Sequence, residues 1–378
     1  MDFHFSEEQK MLRESARDFL QTECPKAFVR EMEKDPEGYA PELWRKMADL
    51  GWMGVVFPEE YGGIGGDLLD LLVLLEEMGR ACLPGPFFST VILGGLPILD
   101  GGTPAQKKEF LPKITRGDLI LTLAHTEPET IQFDPYLIKV QALAGPNGYF
   151  INGIKLFVPD AHVANYMICV ARTKGEINAR EGITLFLVDA QSPGIKREFL
   201  KTVARDKQGE VIFQKVQVPQ ENILGTVNEG GKILERVLQK AAIAKCAEMI
   251  GGARFVLDMC VSYAKEREQF GKLIGTFQAV QHHCANMAIN MEGGRYITYK
   301  AAWMLSKGIP CTKHVAAAKA WVSDAYKRVA GLGHQIMAGT GYMEEHDMPL
   351  YSRRAKAAEL AFGDANYCKK LVAKEIGL

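Results

Sequence analysis

Tyr263-Ala-Lys-Glu-Arg267-Glu-Gln-Phe270-Gly271-Lys272-Leu-Ile-Gly-Thr-Phe277-Gln278-Ala-Val-Gln-His282 is the stretch on which the fold turns. It begins on an apolar-periodic helix, reverses at Phe270-Gly271-Lys272 and enters a second helix at Phe277-Gln278. Arg267 stands just before the reversal and Gln278 just after it. A planar, permanently charged guanidinium suits a phosphate or pyrophosphate. Taken alone, the segment reads equally well as a solvated helix end, so its meaning depends on the rest of the chain.

Outward from this stretch, the helical period covers everything after Asn228, with helices expected over about 229–267, 277–306, 312–339 and 351–375. Helices of such length in a soluble chain normally bundle. Alanine-rich faces (Ala241, Ala242, Ala244, Ala247; Ala316–Ala318, Ala320) suit close packing, including packing between subunits. Before the bundle, residues 119–227 change character: β-branched runs at Tyr149–Asn152, Tyr166–Ala171, Ile183–Val188 and Glu210–Val216, with a Pro146-Asn147-Gly148 hairpin signal, predict a β-domain of about seven or eight strands. Residues 1–118 read as helical again. Ser6 and Gln9 form a capping-box signature, and further helices are expected over Pro41–Leu50, Leu68–Ala81, Val91–Leu99 and Pro104–Arg116. The fold class is therefore α+β in three domains: 1–118, 119–227 and 228–378.

The bulk numbers fit this organisation. A chain of 378 residues can bury a large core. Its 45 Lys+Arg against 46 Asp+Glu argue against nucleic acid or an anionic membrane as main partner. The most apolar helical stretch, Leu68–Met78, is broken by Asp70, Glu76 and Glu77, short of the ~20 apolar residues a bilayer needs. The N-terminus has no basic and apolar leader pattern, so no signal peptide is expected. The eight cysteines show no C-x-x-C spacing, and many unpaired thiols imply a reducing cytoplasm. The eight histidines form no metal-binding pattern.

Four segments resemble the acyl-CoA dehydrogenases, flavoenzymes that oxidise acyl-CoA thioesters, and the resemblance runs the full length of the chain. The first is the stretch around Arg267, Phe270 and Gln278. The second is Thr126-Glu127-Pro128, similar to the Thr-Glu-Pro segment that lines the flavin in that family. The Gly-Ala-Gly-Ser usually following it is replaced by Glu129-Thr130-Ile131-Gln132, with one extra residue before Asp134, which puts the usual serine contact in doubt. The third, Gly153-Ile-Lys155-Leu-Phe157-Val-Pro159-Asp160, is similar to Gly-x-Lys-x-Trp-Ile-Thr, whose Trp packs on the flavin and whose Thr bonds ring N5. Phe157 keeps an aromatic wall, or is a β-core aromatic. Pro159 offers neither hydroxyl nor N–H. The fourth, Gln335-Ile-Met-Ala-Gly339-Thr-Gly341-Tyr342, resembles Gln-x-x-Gly-Gly-x-Gly, expected to end a helix with glycine or to approach the adenosine half of FAD. The resemblance implies FAD as cofactor, contacted by Thr126, Phe157, Arg267, Phe270, Gln278, Gln335, Gly339 and Gly363. It also implies an acyl-CoA substrate, an electron-transfer flavoprotein as acceptor, and a dimer of dimers in which one protomer's bundle reaches its neighbour's FAD.

The base departs from the family. The reaction needs a carboxylate to take the α-proton while the β-hydrogen leaves as hydride. Phe362 stands where the family keeps Glu in Tyr-Glu-Gly-Thr. Some members use a Leu-Glu-Arg triplet, but Leu234-Glu235-Arg236 lies about six residues too early, ~9 Å and roughly 240° around a helix from the matching position, which is Ala241. Asp364, Glu344, Glu345 and Asp347 are the nearest carboxylates, and Asp364 reads best as a helix-start residue. Three readings follow: a dehydrogenase, alone or as one subunit of a heteromer; a non-catalytic chain completing the FAD site of a base-bearing sister; or a flavin reaction that needs no α-proton base.

Overall fold

The computed structural model describes residues 5–130 and 132–378, so Met1–His4, at the head of the expected leader-free N-terminus, and Ile131 lie outside the described residues. In chain order the helices are α1 (Glu7–Glu23), α2 (Lys26–Lys34), α3 (Pro41–Asp49), α4 (Leu68–Ala81), a π-helix (Phe88–Gly95), α5 (Leu96–Gly101) and α6 (Pro104–Thr115). Eight strands follow: β1 (Leu121–Ala124), β2 (Gln141–Gly145), β3 (Gly148–Pro159), β4 (Tyr166–Arg172), β5 (Ile183–Asp189), β6 (Ile195–Leu200), β7 (Gln208–Val218) and β8 (Ile223–Leu224). Then come α7 (Gly231–Glu266), a small hairpin of β9 (Glu268–Gln269) and β10 (Lys272–Leu273), α8 (Gln278–Ser306), α9 (Thr312–Met337), α10 (Met348–Leu360) and α11 (Ala365–Glu375).

The chain divides into two compact units whose limits fall inside α2, on either side of α4 and inside α7. The first gathers residues 1–30, 67–83 and 242–378 and is helical. Its α1 starts on the expected capping box, with Ser6 and Gln9 exchanging bonds of 3.2 Å each. In α4 the three acids that interrupt the apolar run are put to use. Asp70 completes a second capping box with Asp67, and Glu77 takes a two-pronged ion pair from Arg17 at 2.7 and 2.9 Å. Glu76 is buried 3.5 Å from Arg295 Nε, and burial lifts its pKa to about 7 against that cation's pull.

One expected helix is two. The run expected over 351–375 breaks between α10 and α11 because Phe362 (φ 56°) and Gly363 (φ 95°) take left-handed backbone, which no α-helix can carry through. The Val91–Leu99 expectation is corrected similarly: a π-helix ends at Gly95 and α5 begins with Pro97 in its first turn.

The second unit gathers residues 31–66 and 84–241. Its sheet runs β6-β7-β3-β2-β4-β5-β8, with β1 pairing in parallel beside β4. Pro146-Asn147 closes the β2–β3 hairpin, with Gly145 opposite Gly148. The core includes Ile151, Val158, Met167, Cys169, Phe186, Val188, Val211 and Phe213. In the Tyr61–Gly66 turn, a Cβ on Gly63 would lie 2.0 Å from the Phe57 carbonyl oxygen, so only glycine fits. Seven of the free cysteines are buried, with Cys284 half-buried. Among the described residues, no helix is long and apolar enough to cross a membrane and no cluster of metal-ligating side chains is found.

Candidate functional site

In the second unit, Thr126 sits half-buried just past β1, and its carbonyl accepts a 2.9 Å bond from the Leu156 N–H of β3. The neighbouring charges do the holding. Lys155 Nζ donates to Glu127 Oε1 at 2.6 Å and to the His125 carbonyl at 3.0 Å, with both charged side chains buried. Glu127 also accepts the Lys139 N–H at 2.7 Å and the Val140 N–H at 3.1 Å. Every strong acceptor position of this buried carboxylate is thus occupied, as an uncompensated buried ion would be too costly. His125 Nε2 lies 3.0 Å from the Pro135 carbonyl, and burial pushes its pKa down to about 4, so the ring is neutral. Nearby, Arg172 spreads its guanidinium over the carbonyls of Tyr136, Ile138, Ile177, Ala179 and Glu181 at 2.9–3.1 Å, fixing the loop that follows Pro128.

Phe157 is not a core aromatic. It lies in the irregular register between Lys155 and Val158, with φ 54°, and its side chain is 54% exposed. A bulky residue in left-handed backbone is an outlier that surrounding structure must impose. Two residues on, Pro159 has no N–H to donate to a ligand, and its carbonyl accepts the Thr122 hydroxyl at 2.6 Å.

In the first unit, Arg267 follows the last residue of α7. Phe270 (φ 54°) and Gly271 (φ 76°) fill a two-residue loop between β9 and β10, the double left-handed pattern of a type I′ turn. Arg267 O receives the Ile274 N–H at 2.8 Å, closing the base of the hairpin. Phe270 is 93% exposed and meets Phe277 edge-on at 6.2 Å, and Lys272 Nζ lies 4.5 Å over the Phe277 ring. Gln278 opens α8 and is exposed. The Arg267 guanidinium is exposed and makes no hydrogen bond or ion pair among the described residues.

The Gln335 turn differs from its expectation. α9 ends at Met337, and the strained residue is Ala338 (φ 51°, ψ −141°), while Gly339 and Gly341 have ordinary negative φ, so no glycine cap closes this helix. That backbone region is nearly reserved for glycine. Gln335 and Gly339 are exposed. The Gly363 carbonyl is held by Lys319 Nζ at 2.9 Å; this buried ammonium also bonds the Glu359 carbonyl (2.9 Å) and Ser323 Oγ (3.0 Å). Burial lowers the Lys319 pKa.

The carboxylates weighed as a base are engaged or point outward, and Glu359, three residues before Phe362, takes Lys327 at 2.5 Å and Lys356 at 3.0 Å. Ala241 is fully buried. Asp364 caps α11, accepting the Tyr367 N–H at 2.7 Å. Asp347 pairs with Arg30 at 2.7 Å, Glu344 lies 4.0 Å from Arg353, and Glu235 pairs with Arg180. The Glu345 backbone carbonyl takes Arg30, and its side chain is exposed.

Sequence reading passed over Glu127, Lys155 and Lys319. The signal existed for Lys155: it falls four residues after the core residue Ile151 on the same face of β3, where a charge demands a buried partner.

The family model described as "Acyl-CoA dehydrogenase, N-terminal domain" matches residues 6–118, the middle-domain model 122–216 and the C-terminal-domain model 228–377. A probable acyl-CoA dehydrogenase of Bacillus subtilis is 33% identical over 387 residues, covering all of both chains. Butyryl-CoA dehydrogenase from Megasphaera elsdenii has a similar structure (TM-score 0.92, 31% identity, all of both chains). So has the steroid ACAD Tcur3481–Tcur3483 in its G363A variant (TM-score 0.88, 30% identity, 98% of each chain).

Proposed function

The chain belongs to the acyl-CoA dehydrogenase family, and from that footing we propose that it holds FAD and works in the α,β-desaturation of an acyl-CoA thioester. The observation that carries this reading is the match of all three family domains, in order, to nearly the whole chain. The residues fit the cofactor: an outward aromatic at Phe157, a tied-down Thr126, and an uncommitted guanidinium at Arg267 beside the exposed Phe270. Thr126 and Phe157 would line the flavin ring. Arg267, Phe270, Gln278, Gln335 and Gly339 would serve the pyrophosphate and adenosine side, offered from one protomer's bundle to its neighbour, with Gly363 at the turn where the family keeps its base. Bound FAD supplies the acceptor for the β-hydrogen. An electron-transfer flavoprotein would take up the electrons, and the cytoplasm is the compartment proposed for the enzyme.

The chain's own contribution to proton removal is the open step. Phe362 and Ala241 cannot take a proton, and Asp364 is spent on a helix cap. This favours a second reading, in which the chain completes the FAD site of a sister chain that bears the base. The similarity to a steroid ACAD carrying a double designation, Tcur3481–Tcur3483, supports it. The test is anaerobic reduction of the FAD-loaded chain by acyl-CoAs, alone and with a base-bearing homologue. Bleaching of the flavin band by the chain alone establishes an autonomous dehydrogenase. Bleaching only with the homologue establishes the partner role. Failure to take up FAD in either setting would overturn both.

A further inference from the structure

We infer that the buried Glu127–Lys155 pair is a positioning element that sets the register of Thr126 against Phe157, and so the grip of this corner on the flavin ring. The inference rests on the FAD reading above and adds to it two residues that reading does not use.

Three consecutive groups on the Thr126 side are tied to two consecutive residues on the Phe157 side. The His125 carbonyl and the Glu127 carboxylate both bind Lys155 Nζ, at 3.0 and 2.6 Å. Between them the Thr126 carbonyl takes the Leu156 N–H at 2.9 Å. The next residue is Phe157, thrown outward at φ 54° where the β3–β7 register slips. The carboxylate is itself anchored on the Lys139 and Val140 N–H groups, so the pair cannot drift as a unit.

Stability alone does not account for such a pair. Two buried charges are about as stable as, or less stable than, a well-packed apolar pair of the same volume. What a charge pair adds is direction, because its attraction weakens when either partner shifts or rotates. Here the direction is spent on the one place where β3 leaves regular geometry and presents an aromatic to solvent.

The test uses the full chain, stripped of flavin and titrated with FAD. Glu127→Gln/Lys155→Met keeps a carbonyl acceptor for the Lys139 and Val140 N–H groups and fills the lysine stem while removing both charges. The expected result is a melting temperature of the flavin-free protein close to that of the parent, FAD bound at least tenfold more weakly, and a changed visible circular-dichroism band of the bound flavin. Unchanged affinity and an unchanged band in a folded variant overturn the inference while leaving the FAD reading intact. If the parent itself binds no FAD, the FAD reading falls and this inference with it. Should the double variant fail to fold, Glu127→Asp takes its place. It keeps the charge but draws the carboxylate back by one methylene, and a flavin band identical to the parent's would then be the overturning result.

Discussion

The Thr126–Phe157 corner and the Arg267–Gln278 hairpin are both proposed to meet the same cofactor, yet they are built in opposite ways. The corner is held from beneath by a buried ion pair tied to the His125 carbonyl and the Lys139 and Val140 N–H groups. The hairpin has almost nothing around it: Phe270 is nearly all exposed, a Cβ on Gly271 would touch nothing within 4 Å, and Arg267 has no partner among the described residues. A preorganised socket gives up little freedom when its ligand arrives. An unsupported arm with a charged group and a strained aromatic suits a contact that comes from elsewhere, which in the proposed reading is a neighbouring protomer and the phosphates of its FAD.

The contrast is testable first through stability. Glu127→Ala leaves Lys155 buried without its carboxylate and should cost about 3–5 kcal/mol. Arg267→Ala removes an exposed side chain and should leave the unfolding free energy within about 0.5 kcal/mol. Urea unfolding of the two variants measures both, and equal losses would mean that the corner and the hairpin are not different in kind.

Acid separates the two units next. His125 has its pKa depressed by burial, from 6.5 to about 4, so its contribution is present above pH 6.5 and lost as pH falls towards 4, a loss of about 3 kcal/mol in the β-containing unit. Glu76 has its pKa raised, from 4.5 to about 7, so its contribution is full below pH 4.5 and lost as pH rises through 7. Hydrogen exchange read segment by segment at pH 7 and pH 4.5 should show β1 and the following loop opening more easily in acid while α4 opens less easily. A parallel change in both segments would contradict these assignments.

A smaller effect sits at the end of α9. Ala338→Gly relieves a backbone angle that alanine tolerates poorly, against the greater freedom glycine has when unfolded, and should stabilise by about 1 kcal/mol. An unchanged urea midpoint would mean the turn is not strained. Smallest of all, Phe270→Ala should move the midpoint by no more than about 0.5 kcal/mol, while lowering FAD retention and the apparent mass of the assembly by light scattering.

Much of this was legible in the sequence because it rests on local chemistry. Ser6 and Gln9 announce a capping box, Leu68–Ala81 reads as a helix, and Phe270-Gly271-Lys272 reads as a reversal. What was not legible depends on tertiary context. The break at Phe362-Gly363 hides inside a helical period, because phenylalanine gives no sign that its backbone will be left-handed. Ala338 likewise takes a conformation that the adjacent glycines should have claimed. The exposure of Phe157 follows from a register slip against β7 that no single strand encodes. The Glu127–Lys155 pair joins two motifs read separately, each for its uncharged residue, although an inward-facing lysine was a demand for a partner.

The most direct measurement is an FAD titration of the flavin-free parent and Arg267→Ala, followed by visible absorbance, with melting temperature and assembly mass recorded on the same samples. The expected result is saturable binding by the parent and at least tenfold weaker binding by the variant, at an unchanged melting temperature. Equal FAD affinity in the two proteins, with the same assembly mass, would contradict a dinucleotide clasped by the hairpin.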